Sequence, residues 1–580
     1  MTSVTGVRGR FVALVVSLPV LAIALVNVSI TVNTVWLYTL IEPFQDQFRL
    51  YERYLTHPFP LSVFELENGH RPVLPGLIRW LELRYLDGAQ SLQFWTSWGA
   101  ALAATMAVLI CAWRSGGLTR GILTFSVLAN TVYWNANARM FVHAYEATHV
   151  WYIFAVLVAA LMLVGTREQC DWKRVMTACG LAVVATFSFG PGIVVFAAVF
   201  VALAYRRERP AAAIFVAVAA ATIVLIYTFA LPGGDGVRGA AGDDSLLVKR
   251  AYFVALRLGA FCVALIPEVA GLGAPYHALV LTASTLLILG TALDMWQRYR
   301  ADRKPEPFEV IAVGVFVFGI ITNVLIAFNR APHFAVHPQD ALADRYLFWS
   351  ATCWAGTGLY WIARAGSKAT PFTGRLVALV AVTALAGFVS LDQAGWWRSW
   401  AASTFRLTEL TAVAYRHGIP HTHRFMEISG QDDNVFQAEV GALRRSQVMI
   451  FSPRRYGPEI GERYDFSPPA SVLGAESSVD NKDMPPGSPW NIVSMAVTRV
   501  DAFRNADAHW RLMDRTGTLV GACASTGYLR ESNDMARYLR RIVNRLDCYV
   551  RRDSASQAML VAVNGREVTV LGTLIVRQAK

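Results

Sequence analysis

Charge is what this sequence has least of. Only 16% of its 580 residues are Asp, Glu, Lys or Arg, against about 25% in an ordinary soluble domain, and 54% are hydrophobic. That excludes a typical water-soluble protein, and also a disordered chain, which needs low hydrophobicity and high charge. Cysteine is sparse as well: seven residues, no Cys-x-x-Cys and no Cys/His cluster, which argues against a zinc or iron–sulfur centre and against a bound redox cofactor. Gly190-Pro191-Gly192 lacks a following Lys-Ser or Lys-Thr and reads as a turn, not a phosphate loop. The acidic pairs Asp243-Asp244 and Asp432-Asp433 could bind a divalent cation, but without further oxygen ligands nearby in sequence they read first as solvated loops. No cofactor is expected, with a divalent metal at these pairs as the alternative.

What is present instead is a series of apolar runs near the roughly 20 residues needed to cross a bilayer. They cover 11–40, 91–113, 121–134, 150–164, 175–189, 191–205, 212–230, 272–293, 310–328, 346–363 and 376–390. The first follows Arg8 and Arg10, as a signal peptide would, but it is long and lacks a clear small-residue cleavage site, so it reads as a retained helix. Lys and Arg in short loops are held on the cytoplasmic side. They cluster in 1–10, 114–120, 165–174, 206–210, 294–309 and 364–375, which carry ten of the chain's twelve surplus positive charges. A basic chain raises the question of nucleic acid, but a surplus dispersed over six short segments is a topology signal. The alternation holds if 246–266, with Lys249, Arg250 and Arg257, is re-entrant or interfacial. The expectation is a mainly α, polytopic membrane protein of about eleven helices, N-terminus in the cytoplasm, with a membrane domain over 1–395.

From about Trp396 the composition turns polar, and residues 396–580 are expected to form an extracytoplasmic α+β domain. Two apolar runs flank Asn564-Gly565, a strong hairpin signal, Asp514–Gly517 resembles a second turn, and 531–546 reads as an amphipathic helix. Cys523 and Cys548 could form a disulfide in an oxidising compartment, or stay apart.

Ionisable groups at a membrane edge are costly, so their clusters are candidate functional sites. The first outer loop, 41–90, carries Asp46 directly after the first run, then Glu67-Asn68-Gly69-His70-Arg71-Pro72, and an apolar stretch at 73–86 whose helices are expected along the outer leaflet. Alone, Asp46 reads as a helix-end carboxylate paired with Arg49 or Arg53. A later outer loop, however, supplies Arg330, His333, His337, Asp340, Asp344, Arg345 and Tyr346 at the same face. A middle loop, 135–149, carries Asn137, Arg139, His143, Glu146 and His149, and reads either as the lining of an acceptor side or as a solvated loop.

The Pro-Phe-x-Asp-Gln stretch at 43–47 together with Glu-Asn-Gly-His-Arg-Pro at 67–72 resembles the first outer loop of bacterial integral-membrane glycosyltransferases of the GT-C fold. Ser188–Gly192 and Asp344-Arg-Tyr346 look like further landmarks, and Gly69 departs from the Glu more usual in that group. The resemblance covers loosely the first 400 residues. It implies transfer of a sugar from a polyprenyl-phosphate donor to a glycan, lipid or protein acceptor at the outer face of a bacterial plasma membrane, with inversion. Such a reaction needs a base for the acceptor hydroxyl, for which Asp46 is the candidate with Glu67 in reserve. It also needs cations for the departing phosphate, with Arg345 first and Arg71 and Arg330 behind it. Tyr346 would lie on the donor side. His70 either bonds the sugar or phosphate or fixes the 68–72 turn; Asn68, Arg139 and His143 fall on the possible acceptor side. Two rivals remain: a transporter or flippase of a lipid-linked glycan, which should show polar residues near mid-membrane and internal repeats, and a non-catalytic envelope assembly protein acting through its outer domain.

Overall fold

The structure, a computed structural model, describes residues 4–67, 70–166, 171–228, 245–265, 274–365, 372–419, 433–452, 457, 459–465, 474–479, 487–497, 509–525, 544–555, 558–564 and 567–577. Asn68, Asp243, Asp244, Asp432 and 531–543 lie outside them. The helices are α1 (Val4–Tyr38), α2 (Gln47–Thr56), α3 (Leu61–Phe64), α4 (Val73–Tyr85), α5 (Ser91–Asn130), α6 (Ala138–Val142), α7 (Ala144–Gly165), α8 (Trp172–Thr186), α9 (Val194–Tyr205), α10 (Arg209–Thr228), α11 (Ser245–Leu265), α12 (Ala274–Arg300), α13 (Pro307–Val336), α14 (Asp344–Ala365), α15 (Phe372–Arg416) and α16 (Asp433–Ser446). Among the described residues seven strands follow: β1 (Gly474–Val479), β2 (Trp490–Val497), β3 (His509–Met513), β4 (Leu519–Ser525), β5 (Asn544–Arg551), β6 (Met559–Asn564) and β7 (Glu567–Arg577).

The chain divides into two compact units. The first holds residues 1–35, 64–76 and 93–397; the second holds 36–63, 77–92 and 398–580. Among the described residues, five helical stretches are long and apolar enough to cross a membrane: Ser17–Tyr38, Ser91–Asn130, Ala144–Gly165, Ala278–Arg300 and Pro307–Val336. Shorter apolar helices lie at Gly190–Tyr205, Arg209–Leu225 and Val380–Leu391.

Within the first unit α13 is the central post, packed against α7, α9, α11 and α14. Small residues let α13 and α14 approach closely. A Cβ at Gly319 would strike the backbone of Cys353, and one at Gly356 the backbone of Phe316. Helix α5 is not one straight rod: Gly117, at φ 76° and ψ −168°, breaks it, a conformation that favours glycine. The chain reverses there, since the Tyr133 hydroxyl donates to the Ala101 carbonyl at 3.1 Å and lies 2.6 Å from Thr105 Oγ1. Two expected runs, 91–113 and 121–134, are thus the arms of one helical hairpin.

The unit has two polar ends. At one, Arg298 and Tyr205 hold the Glu309 carboxylate at 2.8 and 2.7 Å, Arg364 and Tyr360 hold Asp294 at 2.8 and 2.5 Å, and Arg120 pairs with Glu306 at 2.8 Å. The other end carries the loops described below. Trp95 and Trp113 are 63% and 58% exposed at opposite ends of the first arm of α5. Eighteen residues of helix rise separate them by about 27 Å, close to the bilayer's hydrocarbon thickness, and exposed tryptophans at that spacing suit the two interfaces. Exposed Trp172 and Trp296 stand at the α8 start and the α12 end. Helix α11 packs against the end of α13 and the turn at Pro338–Leu342 through Phe253, Leu256, Ala331, Phe334 and Ala341.

In the second unit the strands close a barrel in the order β1-β2-β5-β4-β3-β6-β7, with β7 returning parallel to β1 and every other pair antiparallel. Closure removes the unpaired edges of a sheet. Strands β6 and β7 pair from Met559↔Thr573 to Asn564↔Glu567, flanking the expected turn. Asp514 Oδ1 accepts from the Thr516 and Thr518 amides at 2.8 and 3.0 Å, turning β3 into β4. The expectation of a helix reaching Leu546 is corrected: Asn544–Leu546 belong to β5 and pair with Met495–Val497. Hydrogen bonding to β2 on one side and β4 on the other outweighs a local amphipathic pattern. Cys523 and Cys548 sit directly opposite on β4 and β5 and are joined by a disulfide. Buried Asp547 accepts from Arg406 Nε at 2.5 Å, tying the barrel to the end of α15.

Candidate functional site

Three loops meet at the second polar end of the first unit. In the first, the amide of Glu67 donates to the His70 carbonyl at 2.7 Å and the His70 amide returns to the Glu67 carbonyl at 2.9 Å. This reciprocal pair ties Glu67 to His70 through the backbone. The Glu67 carboxylate is 3% exposed. Tyr145 donates its hydroxyl to Oε1, and His149 Nε2 lies 3.7 Å from the same oxygen. Tyr145 and His149 are four residues apart at the start of α7 and so share a helix face.

Phe189, just before the Gly190 turn, links two of these loops. His149 stacks on its ring, and His70 meets the same ring edge-on with centroids 4.9 Å apart. Gly190 is required here by close approach, since a Cβ would overlap the His70 ring. Burial lowers the His70 pKa, the Arg330 charge lowers it further, and Glu67 opposes both. The net effect disfavours the charged imidazolium at this position.

The middle loop joins the late one through Arg139, whose guanidinium lies 3.1 Å from Glu146 and 3.5 Å from Asp344. Its reading as a solvated loop is overturned: Asn135, Asn137, His143 and His149 are 0 to 3% exposed. The cause is backbone satisfaction. Asn137 donates to the carbonyls of Thr131 and Val132 at 3.0 and 3.1 Å, and Asn135 to that of Ala394 at 3.1 Å, which pins an irregular stretch that would otherwise bury unpaired polar groups.

In the late loop, Asp340 stands between His333 at 2.7 Å and Arg345 at 3.8 Å. The Arg345 guanidinium lies 5.1 Å from the centre of the Tyr346 ring, and that of Arg257 lies 5.3 Å from it. Arg257 is fully buried and donates to the carbonyls of Ala341, at 2.7 Å, and Tyr346, and to Asn323 Oδ1 at 3.0 Å. Arg345 is 41% exposed; Arg330 is exposed too. Arg71 donates to the Phe64 carbonyl at 2.7 Å, within its own loop.

Of the residues expected from sequence, Glu67, His70, Arg139, His143, Arg330, Arg345 and Tyr346 share this end of the first unit. Asp46 belongs to the second unit, before α2, where Arg49 lies 3.9 Å from its half-exposed carboxylate. Tyr145, Phe189 and Arg257 escaped sequence reasoning. Arg257 had a usable signal, a charge inside an apolar segment, and Tyr145 stands between two residues already noted; nothing local marks Phe189 as a shared platform. Among the described residues no three His, Cys, Asp or Glu side chains are grouped to hold a metal ion. The arrangement offers exposed guanidinium groups for an anion beside carboxylates that are held by buried partners. No known protein family, curated protein or solved structure matches the chain.

Proposed function

We propose that the chain is a membrane glycosyltransferase that moves a sugar from a polyprenyl-phosphate donor to a glycan, lipid or protein acceptor at the outer face of a bacterial plasma membrane. The observation that carries this reading is the meeting of three loops, far apart in sequence, in one polar end of the helical unit: Glu67 bound by Tyr145, and Arg139 bound by Glu146 and Asp344. In this reading Arg345, with Arg330 and Arg71, receives the departing phosphate, whose charge grows as the bond to the sugar breaks. Tyr346 flanks the donor site. Asp46 takes the proton of the acceptor hydroxyl; its carboxylate is 43% exposed, whereas Glu67 is buried and already accepts the Tyr145 hydroxyl. Inversion follows from a single displacement at the anomeric carbon.

The same reading gives about eleven crossings, with the hairpin arms of α5 counted separately and α11 lying at the outer side. The N-terminus is cytoplasmic and the barrel is outside, where its disulfide suits an oxidising compartment. Among the described residues, the ion pairs of the membrane helices lie within two turns of a helix end or of the Gly117 break, which favours an enzyme working at one face over a carrier with charges at mid-membrane.

The test is reconstitution of the purified protein in liposomes with polyprenyl-phosphate sugars, nucleotide sugars and an acceptor extract. Transfer is expected from the lipid-linked donor alone, and Arg345→Ala is expected to lower it by about 100-fold. Transfer from the nucleotide sugar, or none from any lipid-linked donor, rejects the reading.

A further inference from the structure

At the opposite end of the first unit from the polar loops, a groove of about 330 Å³ runs between α1 and the hairpin of α5. Its walls are wholly apolar: Leu21 of α1 faces Leu109, Ile110 and Trp113 of one arm and Leu118 and Phe125 of the other. A Cβ at Gly121 would meet only the Trp113 Cβ, at 3.8 Å, so a larger side chain there has free space to grow into. Trp113 is 58% exposed, which suits a tryptophan at the headgroup level. With Trp113 at that level, the groove opens at the interface and leads along the hydrocarbon region.

Two arginines flank the reversal. Arg120 is buried and paired with Glu306, whereas Arg114, next in sequence to Trp113 of the groove wall, is exposed. An apolar slot headed by an exposed guanidinium matches an amphiphile with a hydrocarbon tail and a negative head. The arginine-rich loops assign this end to the cytoplasmic leaflet, whose lipids carry the anionic headgroups that such residues attract. We propose that the groove is a binding site for one acyl chain of an anionic phospholipid, with its phosphate at Arg114. The site is separate from the polar loops and stands whether or not the chain transfers sugar.

The experiment uses the full chain in detergent, with native mass spectrometry over a titration of phosphatidylglycerol or phosphatidylcholine of matched chains. The wild type is expected to retain one phosphatidylglycerol about fivefold more strongly than phosphatidylcholine, the preference that one arginine near a charged headgroup supplies. Arg114→Ala should abolish the preference and leave the weaker binding; Gly121→Leu should fill the groove and lower retention of both lipids about tenfold. Ile110→Trp, at a partly exposed lining position, narrows the groove without touching the reversal and should act in the same direction if Gly121→Leu fails to fold. Equal retention of both lipids by the wild type and the folded variants overturns the proposal. So does a mass of two chains with no lipid bound, which would assign the groove to a second copy.

Discussion

The His149 imidazole lies flat on the Phe189 ring, with centroids 4.3 Å apart and planes 5° apart. Because His70 uses the edge of the same ring, one phenylalanine sets the position of two histidines from two loops. Gly190→Ala would push a methyl group into the His70 ring, and overpacking of this kind costs about 1–3 kcal/mol. The variant should unfold at a lower temperature than the wild type in the same detergent, as read by intrinsic fluorescence. An unchanged melting temperature would show that His70 moves aside freely.

Glu67 is buried and accepts the Tyr145 hydroxyl, with His149 beside the same oxygen. Tyr145→Phe removes one donor from this buried carboxylate, a loss of about 1–3 kcal/mol. Glu67→Gln combined with Tyr145→Phe should cost less than the sum of the two single changes, since the buried charge is then gone. Additivity of the three melting shifts would mean that the two groups are not coupled.

The acid stability of the second unit should carry the mark of His417. Burial pushes its pKa down to about 3, and the neighbouring Arg511 and Arg416 charges push the same way. The folded imidazole therefore stays neutral while the unfolded one takes up a proton below its ordinary pKa of about 6.5. Stability is full above that pH and falls as the pH drops toward 3. His417→Gln, which never titrates, should flatten the part of the melting-temperature decline that lies between pH 6.5 and 4. An identical decline in the variant would rule His417 out as its source.

The disulfide closes a loop with a sequence separation of 25, for which the chain-entropy relation gives about 3–4 kcal/mol. Cys523→Ser with Cys548→Ser should destabilise the barrel by that order. In intact cells both thiols should resist alkylation until a reductant is added. Free labelling of the wild type without reductant would place the barrel in a reducing compartment.

The apolar runs and the two β-turns were legible because they are local: helix length, Asp514 and Gly517 at one turn, and Asn564 before a glycine at the other. Barrel closure was not, since it rests on β7 pairing parallel to β1 across about a hundred residues and leaves no local pattern. The strand at 544–546 was hidden for the same reason. At the site, the charged and histidine residues could be found one by one from their cost at a membrane edge. Their grouping could not: Arg139 meets Asp344 only through the packing of α6, α7 and α14, and the burial of the 135–149 loop follows from Asn137 and Asn135 bonding to distant carbonyls.

In the proposed reaction Asp46 accepts a proton during sugar transfer from a lipid-linked donor. The rate of transfer by reconstituted Asp46→Asn, set against the wild type at the same donor and acceptor concentrations, tests it most directly. The amide keeps the size of the side chain and removes the base, so the rate should fall by about 10²–10⁴ while the melting temperature stays within a degree or two. Full transfer by Asp46→Asn would show that Asp46 is not the base.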